Sequence, residues 1–257
     1  MTALAQSPTM PAAQPSLRGY SEARRAFDSL PVQDRMRLEM LLVAAGYLRP
    51  AANERFSAPL LQAIQDFQRD NGLAPDGVLS GTAVARLQAE AGPFLTSWDM
   101  QQRFHIFTMQ ELWVPVGLLQ IAQPISTGMR YTDPFGRARM EHSFIEDGAL
   151  AASYRRSLET ARAERGTVTF RIIRPDFYTV AWTSADGGGT YMRYHRSGTG
   201  LYGFSLFWNR TARTLEPDRI ATLVSMSLTW ALRGRALIDP ATILRPAPAI
   251  VVSAPTP

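Results

Sequence analysis

The side chains best suited to chemistry are few and lie far apart along this 257-residue chain. The chain has three histidines, His105, His142 and His195, and no cysteine. The lack of cysteine excludes thiolate nucleophiles, disulfides and thiolate metal sites. A zinc hydrolase needs about three histidine or carboxylate ligands and an open coordination position. The histidines show no ligand spacing, so we predict no metal and no cofactor.

The sequence also lacks the motifs of a serine hydrolase, a glycosidase and a phosphate-binding loop. Gly203-Phe204-Ser205 lacks the second glycine of a nucleophile elbow and lies within a predicted strand. A glycosidase needs two carboxylates across a cleft, and its candidates lie in a predicted solvated loop: Glu141, Glu146 and Asp147. Gly187-Gly188-Gly189 precedes neither a lysine nor a helix, and predicts a hairpin turn. We therefore predict no catalytic residue and a protein that is not an enzyme.

The charge is mild and uneven. All 27 basic residues are arginines, and the net charge is +5. Residues 1–96 hold 9 arginines and 9 acids, whereas residues 97–257 hold 18 arginines and 13 acids. Nucleic-acid binding is not indicated, because the sequence has no dense cluster of basic residues interleaved with aromatic residues. No run of about 18 apolar residues predicts a transmembrane segment.

The composition of the two ends predicts flexible tails. Residues 1–17 are rich in Ala, Pro, Ser and Gln, and residues 237–257 in Pro and Ala. Ala3-Leu4-Ala5 has the small-x-small form of a signal-peptidase site, without a preceding apolar region. It is either the remainder of a signal peptide or a chance match.

The remaining sequence divides into two blocks near Gly92-Pro93. Residues 18–92 show apolar residues at helical spacing, from which we predict three helices. We expect Gly46 to end the first helix, Ser57 to cap the second and Thr82 to cap the third.

The second block changes period. We predict a linker helix over 93–110, then strands and two helices over 111–236. The order of strands, helix, strand meander and helix indicates an α+β domain, an antiparallel sheet with helices packed on one face. The predicted fold class is thus an all-α three-helix module followed by an α+β domain.

Spaced residues of the first block resemble the peptidoglycan-binding domain family over about residues 33–90. They are Gly46-Tyr47-Leu48, Ala63 to Phe67-Gln68, Gly72-Leu73, Asp76-Gly77-Val78 and Thr82 to Leu87. The resemblance implies a wall-binding helical fold in which Gln68 bonds backbone. The family's glycines before the second helix are replaced by Asn53-Glu54-Arg55-Phe56-Ser57.

The same resemblance implies a groove for a peptide stem or a glycan. Its expected lining residues are Tyr47, Arg55, Phe56, Gln62 and Gln65. Arginine and glutamine suit peptide carboxylates and amides, and an aromatic ring suits a sugar face. Each residue could equally be an ordinary surface or core residue.

The C-terminal block is similar to PsbP-like α+β domains, which implies a partner-binding role. Arg193 and His195 alternate with Met192 and Tyr194. Together with Arg171 and Arg196 they form either a basic patch for an acidic partner or the solvated side of a sheet.

The leading hypothesis is a non-catalytic, exported protein of the bacterial periplasm. Its N-terminal module would dock on peptidoglycan, and its α+β domain would bind an envelope protein. The alternatives are an envelope adaptor or complex subunit that has lost wall binding, and an unrecognised peptidoglycan hydrolase.

Overall fold

The structure, a computed structural model, describes residues 17–49 and 55–244. The Ala3-Leu4-Ala5 motif, Asn53 and Glu54, and most of both predicted tails lie outside the described residues. The helices are α1 (Leu17–Asp28), α2 (Val32–Ala45), α3 (Ala58–Asp70), α4 (Gly81–Trp98), α5 (Leu150–Ala163) and α6 (Pro217–Leu232). The strands are β1 (Met100–Phe104), β2 (Glu111–Pro115), β3 (Ile121–Ile125), β4 (Gly128–Thr132), β5 (Ala138–Ile145), β6 (Thr167–Ile173), β7 (Phe177–Thr183), β8 (Gly189–Ser197) and β9 (Gly200–Trp208).

The helical module has the predicted three helices, α2 to α4, and an additional helix, α1. Gly46 ends α2 at φ 95°, and its N–H donates to the carbonyls of Leu42 and Val43. Ser57 caps α3 through a bond from the Leu60 N–H. Ser80, two residues before the predicted Thr82, caps α4. The capping side chains therefore fix where α3 and α4 begin.

The C-terminal block forms two antiparallel sheets. β1 and β2 form a hairpin, and the other strands form a seven-stranded sheet in the order β3-β4-β5-β9-β8-β7-β6. The predicted hairpin at Asp133–Gly136 joins β4 to β5. The predicted fold class, a helical module followed by an α+β domain, is confirmed.

Helices cover both faces of the large sheet rather than the single face expected. α6 packs on the face that carries Phe204 and Leu206. α5 packs on the opposite face, against Tyr178, Val180 and Trp182. The strands beneath the two helices are buried on both faces. The alternation of side chains along a strand therefore does not show that each face is covered by a helix.

The predicted linker helix is wrong. α4 continues through Pro93 to Trp98, and residues 100–104 pair with β2 as β1. The last turn of α4 is held by burial of Leu95 and Trp98 and by a hydrogen bond from Trp98 Nε1 to the Leu215 carbonyl. These contacts outweigh the backbone hydrogen bond that a proline removes.

Part of the predicted C-terminal tail is also ordered. Ile243 is fully buried, and its carbonyl accepts hydrogen bonds from Arg37 and Gln88. The Ile238 carbonyl accepts one from Trp113 Nε1. Residues 237–244 therefore belong to the folded unit, because their apolar side chains outweigh the Pro/Ala composition.

One apolar core runs through both blocks. It joins residues of α2, α3 and α4 to β2, α6 and the facing side of β9. Arg219 of α6 spans the junction: its Nη1 donates to the Ala44 carbonyl, and its guanidinium lies over the Phe94 ring. The helical module and the sheet therefore pack as one body.

Candidate functional site

The family motif of the helical module is built into a hydrogen-bonded scaffold. Gln68 of α3 is buried; its Nε2 donates to Asp76 Oδ1 at 2.8 Å and to the Val78 carbonyl at 2.9 Å. Its Oε1 accepts from the Gly77 N–H at 2.9 Å. The expected bonding of Gln68 to backbone is therefore present, and this residue holds the 76–78 loop rather than a ligand.

Gly77 is required by both conformation and space. Its φ is 80°, and a Cβ there would lie 2.3 Å from Leu61 Cδ1 and 3.0 Å from Ala23 Cβ. Ala23 belongs to α1 and is fully buried. Helix α1 therefore seals the side of the module formed by α3 and the 76–78 loop.

Tyr47 lies at the C-terminal end of α3. Its ring packs edge-on against Phe67, with centroids 5.5 Å apart. Partial burial, and then the nearby carboxylates of Glu90 and Asp70, raise the pKa of Tyr47 to about 12. Tyr47 therefore stays a neutral phenol, placed to donate a hydrogen bond.

Phe56 lies at the other end of α3, beneath α1. Its ring centroid is 5.3 Å from that of Tyr20 and 5.7 Å from that of Phe27. Phe56 precedes α3, and the helical rise from Ala58 to Phe67 is roughly 13 Å. Phe56 and Tyr47 therefore cannot stack on one sugar ring, and Phe56 is partly covered by the protein itself.

The remaining predicted lining residues lie on or beside α3. Arg55 is exposed just before the helix. Gln62 Nε2 donates to Asp66 Oδ1 at 2.9 Å, and Gln65 Nε2 donates to the Pro75 carbonyl at 3.1 Å. Within the described residues neither glutamine accepts a hydrogen bond at its side-chain carbonyl oxygen.

The predicted basic patch does not form as a surface, because Arg193 and His195 are buried beneath α6. Arg193 is 6% exposed; its Nε donates to His195 Nε2 at 3.1 Å and its Nη1 to the Ser225 carbonyl. His195 stacks on Phe177, with ring centroids 4.9 Å apart. Burial, and then the neighbouring Arg193, lower the pKa of His195 to about 3.

The other two members of that patch lie on the opposite face of the sheet. Arg171 is in register with Val180, and Arg196 follows Tyr194 by two residues on β8. Both side chains are exposed. Since neighbouring residues of a strand point to opposite faces, the four residues cannot meet one ligand.

The structure brings together two histidines that are distant in sequence. The rings of His105 and His142 have centroids 4.8 Å apart, and both side chains are fully buried. His105 Nδ1 accepts from the N–H groups of Phe107 and Thr108, so its Nε2 donates to the Thr127 carbonyl at 3.0 Å. The role of His105 is therefore to fix the β1–β2 loop.

His142 also serves the interior. Its Nε2 is 2.7 Å from the Tyr202 hydroxyl, and burial, then His105, lower the pKa of His142 to about 3. Among the described residues no three histidine or carboxylate side chains are placed to hold a metal ion. Ser205 is likewise buried, with its Oγ 2.9 Å from the Tyr194 hydroxyl.

Two carboxylates, Glu164 and Asp186, line an open groove of about 730 Å³ at one end of the sheet. Glu164 accepts a hydrogen bond from Trp182 Nε1, and Asp186 accepts from Ser184 and from the Gly188 N–H. The hydrogen bonds from Ser184 and from the Gly188 N–H lower the pKa of Asp186. A glycosidase acid needs a raised pKa, so Asp186 does not suit that role.

None of the described helices is long and apolar enough to span a membrane. No curated protein matches the sequence. One similar solved structure is the solution structure of cyanobacterial PsbP (CyanoP) from Synechocystis sp. PCC 6803, with 13% sequence identity and a TM-score of 0.38. The similarity covers 50% of this chain and 90% of that chain.

The helical module itself matches a family model. That model is described as a putative peptidoglycan binding domain, and it matches residues 32–90. The match begins with α2 and ends within α4, so it coincides with the three helices locked by Gln68 and Gly77. Residues 32–90 of this chain are therefore similar to the putative peptidoglycan binding domain family.

Proposed function

We propose that this protein is a non-catalytic component of the bacterial cell envelope, exported to the periplasm. Its helical module docks on peptidoglycan, and its α+β domain binds a partner. The family match over residues 32–90 carries this proposal. In the described part of that module Gln68 and Gly77 hold the motif loop in place.

The non-catalytic reading is supported by what the candidate chemical groups do. His105 and His142 are shielded from solvent and hydrogen-bond the interior. Glu164 and Asp186 hold an indole and a turn. A hydrolase needs its histidines to face water and substrate, which the burial of His105 and His142 prevents.

A second candidate function is an envelope adaptor in which the helical fold is kept and wall binding is lost. One observation favours it: Phe56, on the loop that borders the implied groove, is packed against Tyr20 and Phe27 of α1. Because α1 covers part of Phe56, this side of the implied groove offers less surface to a glycan.

The test is a pull-down of the full chain with purified, insoluble peptidoglycan sacculi, with muropeptide release followed in the supernatant. Arg55→Gln removes an exposed cation of the implied groove. Its matched control is Arg69→Gln, which removes an exposed arginine that pairs with Asp66 on α3. Loss of one charge-assisted contact of about 1.5 kcal/mol weakens binding roughly tenfold.

We expect the sacculi to retain the wild-type chain and Arg69→Gln, and to retain Arg55→Gln more weakly. We expect no muropeptide in the supernatant. Release of muropeptides overturns the non-catalytic assignment. Loss of all retention at moderate salt overturns wall docking and favours the adaptor.

A further inference from the structure

Most of the net positive charge of the chain lies in one short stretch of the fold. Residues 150–174, which include α5 and β6, hold six arginines and two glutamates, a net +4 of the +5 carried by the whole chain. The six are Arg155, Arg156, Arg162, Arg165, Arg171 and Arg174, and all are exposed. Because α5 packs over β6 and β7, its arginines lie on the same face of the sheet as Arg171, which is in register with Val180.

These arginines are not used to hold the fold together. None of the six side chains makes an ion pair or a hydrogen bond with residues 17–49 or 55–244. Of the two glutamates, Glu164 is already engaged by Trp182 Nε1. The charge of this edge is therefore left for an external anion.

The strand at this edge also has unused backbone groups. β6 ends the seven-stranded sheet and pairs with β7 alone, so its outer N–H and C=O groups face away from the sheet. β3, at the other edge, is shorter and contains Pro124, which has no N–H to donate. β6 has seven residues, no proline and one irregularity between Val168 and Phe170.

Apolar side chains flank the open edge of β6 on both faces. Phe170, in register with Ala181, is 51% exposed, and Ile173, in register with Tyr178, is 39% exposed on the other face. An added strand also places its side chains alternately on the two faces. Arg171 lies on the same face as Ile173, and Arg174, by the same alternation, on the same face as Phe170. A strand of alternating residues therefore meets either Phe170 with its apolar side chains and Arg171 with its acidic ones, or Ile173 and Arg174 in the same way.

We propose that the outer edge of β6 binds an extended, acidic peptide segment of a partner protein by strand addition. Backbone hydrogen bonds supply affinity and the arginines select acidic residues. A second copy of the same edge is disfavoured, because it would bring like charges together. This inference rests on the part of the proposed function that gives the α+β domain a partner, and it is independent of wall docking.

The probe is a fluorescein-labelled eight-residue peptide that alternates glutamate and valine, with binding to the full chain measured by anisotropy. A second peptide has the same sequence with alternate amides N-methylated, so it keeps the charge and loses backbone donors. The variant Arg171→Gln/Arg174→Gln removes two edge cations. Arg24→Gln/Arg69→Gln removes the same charge from the helical module, where both arginines are exposed.

We expect saturable binding of the first peptide. The edge variant should weaken it about fivefold, the upper range for the one exposed ion pair that a given register makes, and the control variant less than twofold. The N-methylated peptide should bind at least tenfold more weakly. Equal binding of the two peptides, equal binding to the two variants, or no binding at 1 mM peptide each overturns the proposal.

Flotation with phosphatidylglycerol vesicles separates a peptide site from a lipid site. Stronger capture of the protein by vesicles than by the peptide, lost in the edge variant, overturns the peptide assignment. Retention on sacculi is measured in parallel. Peptide binding without retention refutes wall docking alone, and retention without peptide binding refutes the strand-addition site alone.

Discussion

Acidification should destabilise this protein well above the pH at which its carboxylates become protonated. His142 and His195 both have a pKa of about 3 in the folded chain, against an ordinary value near 6.5. Below pH 6.5 the unfolded chain binds protons at these histidines and the folded chain does not. Their contribution is therefore fully present above pH 6.5 and is lost as the pH falls towards 3.

The loss can be estimated from the linkage relation. A pH of 5 lies about 1.5 units below the pKa of histidine in the unfolded chain. The free energy of unfolding therefore falls by about 2 kcal/mol per histidine and about 4 kcal/mol for the pair. A domain of ordinary stability has about 5–15 kcal/mol in total. The lowered pKa values of Asp133 and Asp186 act at lower pH, because these contributions begin to be lost only near the ordinary carboxyl value.

The assay is urea unfolding at pH 7.5 and pH 5.0, followed by tryptophan fluorescence. His142→Gln removes one titrating group and keeps a side chain able to bond the Tyr202 hydroxyl. Its loss of unfolding free energy between the two pH values should be about 2 kcal/mol smaller than that of the wild-type chain. Tyr202→Phe is the control, since it removes that bond while leaving the imidazole in place. An unchanged pH dependence in His142→Gln refutes the assignment of this histidine as buried and neutral.

Two further stability predictions use the same unfolding measurement. Gly77→Ala should cost about 2–4 kcal/mol, because its Cβ collides with Leu61, whereas Gly72→Ala, at φ 65° with free space around it, should cost only about 1 kcal/mol. Equal losses would contradict the packing of α1 on the 76–78 loop. Arg219→Ala should cost about 1–3 kcal/mol through its bond to the Ala44 carbonyl, and an unchanged midpoint would mean that this contact does not join the two blocks.

The helices of the module could be predicted because local chemistry fixes them. The i, i+3, i+4 spacing of Leu38, Leu41 and Leu42 predicts α2, and Gly46 and Ser57 mark boundaries that the structure confirms. Local rules failed where tertiary contacts decide. The sequence predicts a linker helix over 93–110, but Met100 to Phe104 pair with β2 as a hairpin.

The candidate sites were harder to predict than the elements that carry them. Alternation in β8 separated Arg193 and His195 from Met192 and Tyr194 correctly, but a period of two cannot tell which face is solvated. Only the position of α6 shows that the arginine is buried. The His105–His142 contact likewise joins residues that share no local pattern, since it depends on how the β1–β2 loop lies against β5.

The shared core decides how the two proposed activities can be studied. α6 packs on β2 and β9 and also contacts α2, and Trp98 at the end of α4 bonds the Leu215 carbonyl. Cutting the chain between the blocks would divide the apolar core that α2, α3 and α4 share with β2, α6 and β9. Such fragments would lose binding by unfolding, whatever their function. Because the junction is part of the core, wall docking and strand addition have to be separated by exposed point variants of the full chain, such as Arg55→Gln and Arg171→Gln.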